Sequence, residues 1–377
     1  MRARRPLHSA SRTTRTLLLA LSASATLGCG AESTVPADQL TAPATVAASR
    51  DESSDRDEGA EHAKRPFTFA VIGDTPYGPA KLAEFPALVA EINADPAVSF
   101  VAHVGDIKAG KNAACTDEYF TTVRALFDTF ADPLVYTPGD NEWTDCHAAG
   151  KNNGLYTPTE RLAKVRELFF PTPGRTLGVN AMRVHSQAKD RRNSAYVENV
   201  RFERGRVTFA TLNITGSNND GVSWGSPLPA DAGLYPSQAE EQVTRARANA
   251  AWLAKTFAQA REEKAAAVVL IFQADMWDTL EPSLSGYDAL VEQVGRLATA
   301  FGKPVLLLEG DSHIFKVDNP FSAASPLHGI HPVTPVAENV TRIVIEGSDA
   351  GRTEYLRVTV DVKSKSAPFT WERVPLQ

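Results

Sequence analysis

The stretch Phe67-Thr68-Phe69-Ala70-Val71-Ile72-Gly73-Asp74 is a short apolar run that stops at Gly-Asp. That is the pattern of a buried strand delivered into a tight loop. The pattern recurs along the chain. Ser99–Val104 is strand-like and ends at Gly105-Asp106, Leu134–Thr137 runs into Pro138-Gly139-Asp140, and Pro304–Leu308 ends near Gly310-Asp311. Between the first three runs, Leu82, Phe85, Val89 and Ile92, then Phe120, Val123, Phe127 and Phe130, recur at spacings of three and four, which is one helical face. A β-loop-α order of this kind implies a sheet with at least a parallel half, covered by helices.

Further along, Ala195–Val200 and Val207–Leu212 read as a hairpin pair. Val243, Ala246, Ala250, Leu253 and Phe257 mark a long helix. Ala267–Phe272 is an apolar strand and residues 288–301 are helical. Ile343–Glu346, Tyr355–Val362 and Phe369–Val374 alternate like strands of an antiparallel edge. Two mixed sheets with outer helices suit this order better than one doubly wound sheet.

The 377 residues carry 39 Lys and Arg against 45 Asp and Glu, a formal charge of −6. The first 28 hold five arginines and no acid, which leaves 34 basic against 45 acidic residues, or −11, beyond them. That acidity argues against nonspecific nucleic-acid binding, which needs a basic footprint. Residues 1–28 read as an export signal, with arginines up to Arg15 followed by the apolar Leu17–Leu21 and then small residues. The uncharged run Thr16–Gly28 has 13 residues, short of the roughly 20 that a spanning helix requires. Thr26-Leu27-Gly28-Cys29 resembles a bacterial lipobox, apart from Thr26 where Leu is usual, so Cys29 is expected to carry a lipid; simple secretion with cleavage near Cys29 is the alternative. Residues 29–65 form an acidic linker with almost no large apolar side chain, a composition too polar to fold on its own. Residues 66–377 are expected to fold as one domain.

In open α/β folds, ligands bind beyond the carboxyl ends of parallel strands. Asp74, Asp106, Asp140 and Asp311 would all project there. Four converging carboxylates repel strongly, and two divalent cations would cancel their charge. The bland reading is four unrelated turn aspartates. His313, two residues after Asp311, adds another ligand type.

Together, Gly73-Asp74, Gly105-Asp106, Pro138-Gly139-Asp140-Asn141-Glu142 and Gly310-Asp311-Ser312-His313 resemble the ordered motifs of the calcineurin-like metallophosphoesterases over about residues 67–317. The resemblance implies a four-layer αββα sandwich of two mixed β-sheets flanked by helices, with a two-metal site at the strand ends. By position, Asp74, Asp106, Asp140, Gln273, Asp311 and His313 would hold the metals, Asp106 bridging them. Asn141 falls where the family has a catalytic His, and Glu142 where an acid orients that His. The usual Asp-x-His opening is Asp74-Thr75-Pro76 here, and Gln273 and Asp311 stand where histidines are usual. An oxygen-rich set of this kind favours Mn²⁺ or Mg²⁺ over Zn²⁺. Because Asn141 cannot protonate a leaving group as an imidazolium can, His147 and His103 are the nearest substitutes by sequence. Each has a bland alternative: His103 as a satisfied core residue, His147 as a solvated loop residue.

The implied function is hydrolysis of a phosphate mono- or diester by a hydroxide held between two metal ions. The substrate would be a phosphorylated small molecule or polymer. The chain would act as a monomer in the cell envelope, touching the membrane only through Cys29; otherwise it is periplasmic or secreted. The rival reading is an envelope-anchored, non-catalytic ligand-binding protein that keeps the fold and a partial metal site; a third is a Ca²⁺ site that only stabilises loops. Cys115 and Cys146 follow two of the Gly-Asp loops and are either a disulfide across them or two buried thiols. Asn213, Asn218 and Asn219 are turn formers or phosphate ligands. Trp143, Trp224 and Trp277 are loop anchors or stacking platforms.

Overall fold

The computed structural model describes residues 65–110, 113–147, 156–224, 238–348 and 351–377. The export signal 1–28, Cys29 and the linker up to residue 64 lie outside these. The chain runs β1 (Phe67–Ile72), α1 (Gly78–Ala94), β2 (Val98–His103), α2 (Asp117–Phe127), β3 (Leu134–Tyr136) and α3 (Pro158–Phe169). Next come β4 (His185–Ser186), β5 (Val200–Arg204), β6 (Val207–Thr211), α4 (Gln238–Glu262), β7 (Ala267–Ile271), α5 (Asp288–Phe301) and β8 (Val305–Glu309). The short strands β9 (Lys316–Asp318) and β10 (Val340–Val344), then the hairpin β11 (Glu354–Val360) and β12 (Phe369–Pro375), complete it.

These strands form two mixed sheets, β12-β11-β1-β2-β3 and β4-β5-β6-β7-β8-β10-β9. Within them β1-β2-β3 and β6-β7-β8-β10 are parallel. The period-two alternation of the apolar strands explains the layering. Phe69 and Val71 of β1, with Val269 and Ile271 of β7, point between the sheets. Ala70 and Ile72 point to the outer layer of α1, α2 and α3, while Val268 and Leu270 point to α4 and α5. At the sheet interface the stacked pairs Phe69–Phe100 and Phe202–Phe209 meet edge to face, Phe69 and Phe209 having ring centres 5.5 Å apart. The expected αββα sandwich is therefore present. Local signals agree with it: Thr116 caps α2 by accepting from the Tyr119 amide, and Gly302 closes α5 in the left-handed conformation, φ 67°. No helix among the described residues is long and apolar enough to cross a membrane.

Three local expectations shift. The hairpin is β5–β6, turning at Gly205-Arg206, whereas Ala195–Asn199 is irregular. Asn199 explains this, since its buried amide binds Gln187 and Asn249 and accepts from the Asn213 amide, ordering the segment through side chains instead of a ladder. On α4, Val243 is 57% exposed, and the helix instead buries Glu241, Arg245 and Asn249 at its start. Finally, Val340–Val344 pairs in parallel with β8, and only β11 and β12 form the antiparallel edge expected.

Candidate metal centre

Because both parallel sets end at the same side of the sandwich, the loops after β1, β2, β3, β6, β7 and β8 meet there. A backbone bond ties the two sheets at this seam, Ser348 N–H donating to the Asp74 carbonyl at 2.9 Å, while Gly310 N–H donates to the Gln273 carbonyl at 2.8 Å and joins the loops after β7 and β8. The approach is close. A Cβ on Gly139 would lie 2.0 Å from Asp106 Oδ1, so only glycine lets the β3 loop pass the β2 acid.

The four acids converge. Ligand atoms of Asp74, Asp106 and His313 lie within 4.8 Å of one another, as do those of Asp106, Asp140 and Asp311. Asp106 belongs to both groups. Asp74, Asp106 and Asp140 are buried, and Asp74 Oδ2 is a buried oxygen with no hydrogen-bond partner. Burial, then the charge of Asp140, holds the Asp106 carboxyl well above the usual range, and the same two causes raise Asp311. An orphaned carboxylate oxygen within two overlapping acid groups fits a pair of divalent cations.

Each group has a neutral donor at its centre. The Tyr77 hydroxyl lies 3.4 Å from Asp74 Oδ1, 3.2 Å from Asp106 Oδ2 and 3.3 Å from His313 Nε2. Gln273 Nε2 donates to Asp106, Asp140 and Asp311 at 3.1, 3.1 and 3.0 Å, while its Oε1 accepts from Gly216 N–H at 2.5 Å. Gln273 is thus among the acids as expected, with its nitrogen toward them and its oxygen away.

Asn141 faces the cleft, donating from Nδ2 to Asp106 Oδ2 at 2.6 Å. Glu142 faces the core. Its Oε1 accepts from Gly139 N–H and Tyr136 O–H, both at 2.7 Å, so it holds the loop rather than the Asn141 side chain. His147 lies on the turn Thr144–His147, its Nδ1 bonded to the Thr144 carbonyl at 2.6 Å, and is not among the residues lining the cleft. His103 is a core residue. Its Nε2 donates to the Thr75 carbonyl, its Nδ1 accepts from Gly105 N–H, and burial pushes its pKa down to about 4. Cys115 and Cys146 form a disulfide, with both sulfurs packed against the Asn141 carbonyl. Trp143, Trp224 and Trp277 are buried anchors.

Two parts of the site went unread in the sequence. Tyr77 had a signal in its position three residues after Asp74. Lys108, two residues after Asp106, is fully buried and donates to the Ala109 and Asn141 carbonyls at 2.8 Å each; burial lowers it to about 8. Asn218 and Asn219 are turn formers, in the turn Gly216–Asp220, where Ser217, Asn218, Asn219 and Asp220 all have positive φ. Arg245 of α4 clamps that turn by donating to Asn219, and Ser217 Oγ then reaches Asp140 Oδ2 at 2.9 Å. Asn213 and Asn218 serve the same framework, through Glu198 and the Gly286 amide.

These residues and the loops of other elements bound a cleft of about 380 Å³, lined by Tyr77, Asn141, Ser217, Asp311, His313 and Glu281 among others. A larger-scale likeness accompanies the geometry. No curated protein matches the chain. Among solved structures, GAP50, the anchor in the inner membrane complex of Plasmodium, superposes with a TM-score of 0.43 at 11% identity, over 83% of this chain and 89% of its own. Residues 67–225 match the model of the calcineurin-like phosphoesterases, a stretch that includes Asp74, Asp106, Asp140 and Asn141; Gln273, Asp311 and His313 lie beyond it and reach the site through the second sheet. Over that stretch, which is less than half of the chain, the sequence is similar to the calcineurin-like phosphoesterases.

Proposed function

We propose that the chain is an exported, metal-dependent hydrolase of phosphate mono- or diesters. The observation that carries this reading is the pair of ligand groups sharing Asp106 at the floor of the cleft. Asp74, Asp106 and His313 would hold one divalent cation, and Asp106, Asp140 and Asp311 the other, with Gln273 beside the second. When bound, such cations would supply Lewis acidity and lower the pKa of the attacking water. The oxygen-rich donors favour Mn²⁺ or Mg²⁺ over Zn²⁺.

Charge supports the need for cations. Among the described residues lining the cleft there is no lysine or arginine. A phosphoryl group brought beside four carboxylates would be repelled, so substrate attraction must come from bound ions. Asn141 and Ser217 line the cleft and offer amide and hydroxyl donors to a phosphoryl oxygen. The Arg245 clamp on the Gly216–Asp220 turn and the disulfide beside Asn141 keep these donors in place. Export through residues 1–28 and lipid attachment at Cys29 would place the monomer in the cell envelope, with a phosphorylated small molecule or polymer as its substrate.

The test is release of p-nitrophenol from p-nitrophenyl phosphate and bis-p-nitrophenyl phosphate with Mn²⁺, Mg²⁺ or Zn²⁺. The expected result is metal-dependent turnover that Asp106→Asn abolishes. Absence of turnover with every ion would refute the hydrolase reading.

A further inference from the structure

The neutral donors at the centres of the two acid groups are chemically unequal. At the first, the central atom is the Tyr77 oxygen, 3.2–3.4 Å from its three neighbours. It has one proton to share among them, and its lone pairs can themselves face a cation. At the second, the central atom is an amide nitrogen at 3.0–3.1 Å from three carboxylates, with two protons to give and no lone pair for a metal.

Gln273 is also held in that orientation. Its side chain is fully buried and its Oε1 takes the Gly216 N–H at 2.5 Å. Turning the amide over would set its NH₂ against that N–H and leave both donors unsatisfied in the interior. Little room exists for adjustment around it. A Cβ on Gly216 would lie 2.5 Å from Asp311 Oδ1 and 2.9 Å from Asp140 Oδ2, and the Gln273 side chain itself sits 2.7 Å from where a Cβ on Gly105 would be.

We infer that Gln273 makes the two positions load unequally: a divalent cation enters the Asp74–Asp106–His313 group first, and the Gln273 amide opposes the second at Asp106–Asp140–Asp311. Gln273 is then a positioning residue that stands in for the second ion and holds three acids together without it. This rests on the proposed two-cation reading and adds an order and a cause. The second ion requires the amide to leave or reverse, so its affinity reflects the Gly216 bond as well as the carboxylates.

The experiment is calorimetric titration of Mn²⁺ into chelator-treated full-length protein, with electron paramagnetic resonance of the same samples. In the wild type, one ion should bind at least about 10–100-fold more tightly than the next, the range over which partners of metal ligands act. Its spectrum at one equivalent should be that of an isolated ion. Gln273→His and Gln273→Ala, checked for folding by circular dichroism, should tighten the second step and show spin-coupled ions at two equivalents. Two ions of equal affinity in the wild type, or unequal loading that both folded variants retain, would overturn the role given to Gln273 while leaving the two-cation reading intact. Failure of every protein to bind Mn²⁺ would overturn both.

Discussion

Replacing both cysteines, Cys115→Ala with Cys146→Ala, should destabilise the chain without leaving a reactive thiol. The bridge spans 31 residues, a segment that includes α2 and β3 with the Asp140 loop. Opening a cross-link of that span returns about 12 cal/mol/K to the unfolded chain, which corresponds to roughly 3.7 kcal/mol at 25 °C. The buried sulfurs also fill space against the Asn141 carbonyl, and their loss adds to this cost. Urea unfolding monitored by tryptophan fluorescence measures the effect, since Trp143 is buried three residues from Cys146. The double variant should unfold at lower urea, with a slope no smaller than that of the wild type, because an unbridged unfolded chain exposes at least as much surface. Lys108 still donates to the Asn141 carbonyl in the variant, so the cleft should keep its shape once folded. A loss below about 1 kcal/mol would refute the reasoning, because it would mean that the segment stays equally restricted in the unfolded state without the bridge.

Arg342→Ala should cost about 3–5 kcal/mol in urea unfolding, because it strips the guanidinium from buried Asp275 and Glu309. Burial pushes Asp275 up, but Arg342 and Lys316 outweigh it and hold the carboxyl below its usual range, which is why their removal is costly. His103 gives a pH signature. Burial lowers its pKa from 6.5 to about 4, so between those values the unfolded chain takes up a proton that the folded chain refuses. Wild type should therefore lose up to about 3 kcal/mol relative to His103→Gln as pH falls from 7 to 4; parallel stability–pH curves for the two proteins would contradict this. Gly216→Ala places a Cβ 2.5 Å from Asp311 Oδ1 and should cost about 1–3 kcal/mol by overpacking, read as a lowered melting temperature.

The strand–Gly–Asp repeat was legible because it combines two strong signals: an apolar run buried on both faces, and a residue pair suited to leave a sheet sharply. That was enough to place Asp74, Asp106, Asp140 and Asp311 together and to separate two sheets. Gln273 was located by the family resemblance, as the residue just after an apolar strand, but the direction of its amide depends on Gly216 N–H, a partner 57 residues away that no spacing rule supplies. The same limit hid Tyr77, whose hydroxyl meets Asp106 from the loop after β2 and His313 from the loop after β8. Helix α4 misled for a related reason. Its first half is read by the apolar spacing that starts at Val243, yet Val243 is exposed and Arg245 and Asn249 are buried there because the turn after β6 needs their hydrogen bonds. Side chains that act through long-range polar contacts leave no periodic trace.

Backbone conformation separates the metal-site reading from the bland one of four unrelated turn aspartates. Asp74, Asp106, Asp311 and His313 have φ of 48°, 56°, 72° and 58°, in the left-handed region that costs an L-residue about 1–2 kcal/mol. Aspartate tolerates that region better than most residues, but a turn needing only a reversal would place glycine there at lower cost. Glycine is already present one position earlier in three of these loops, at 73, 105 and 310. The unfavourable conformation therefore falls on the residues that carry carboxylates or imidazole, and it aims them inward. Burial and mutual repulsion then raise the carboxyls of Asp106 and Asp311, a second cost at the same positions. Strain on four ligand-type residues, with repulsion added at two of them, in a fold whose cores lie elsewhere, is what a cation site requires and what loop closure does not.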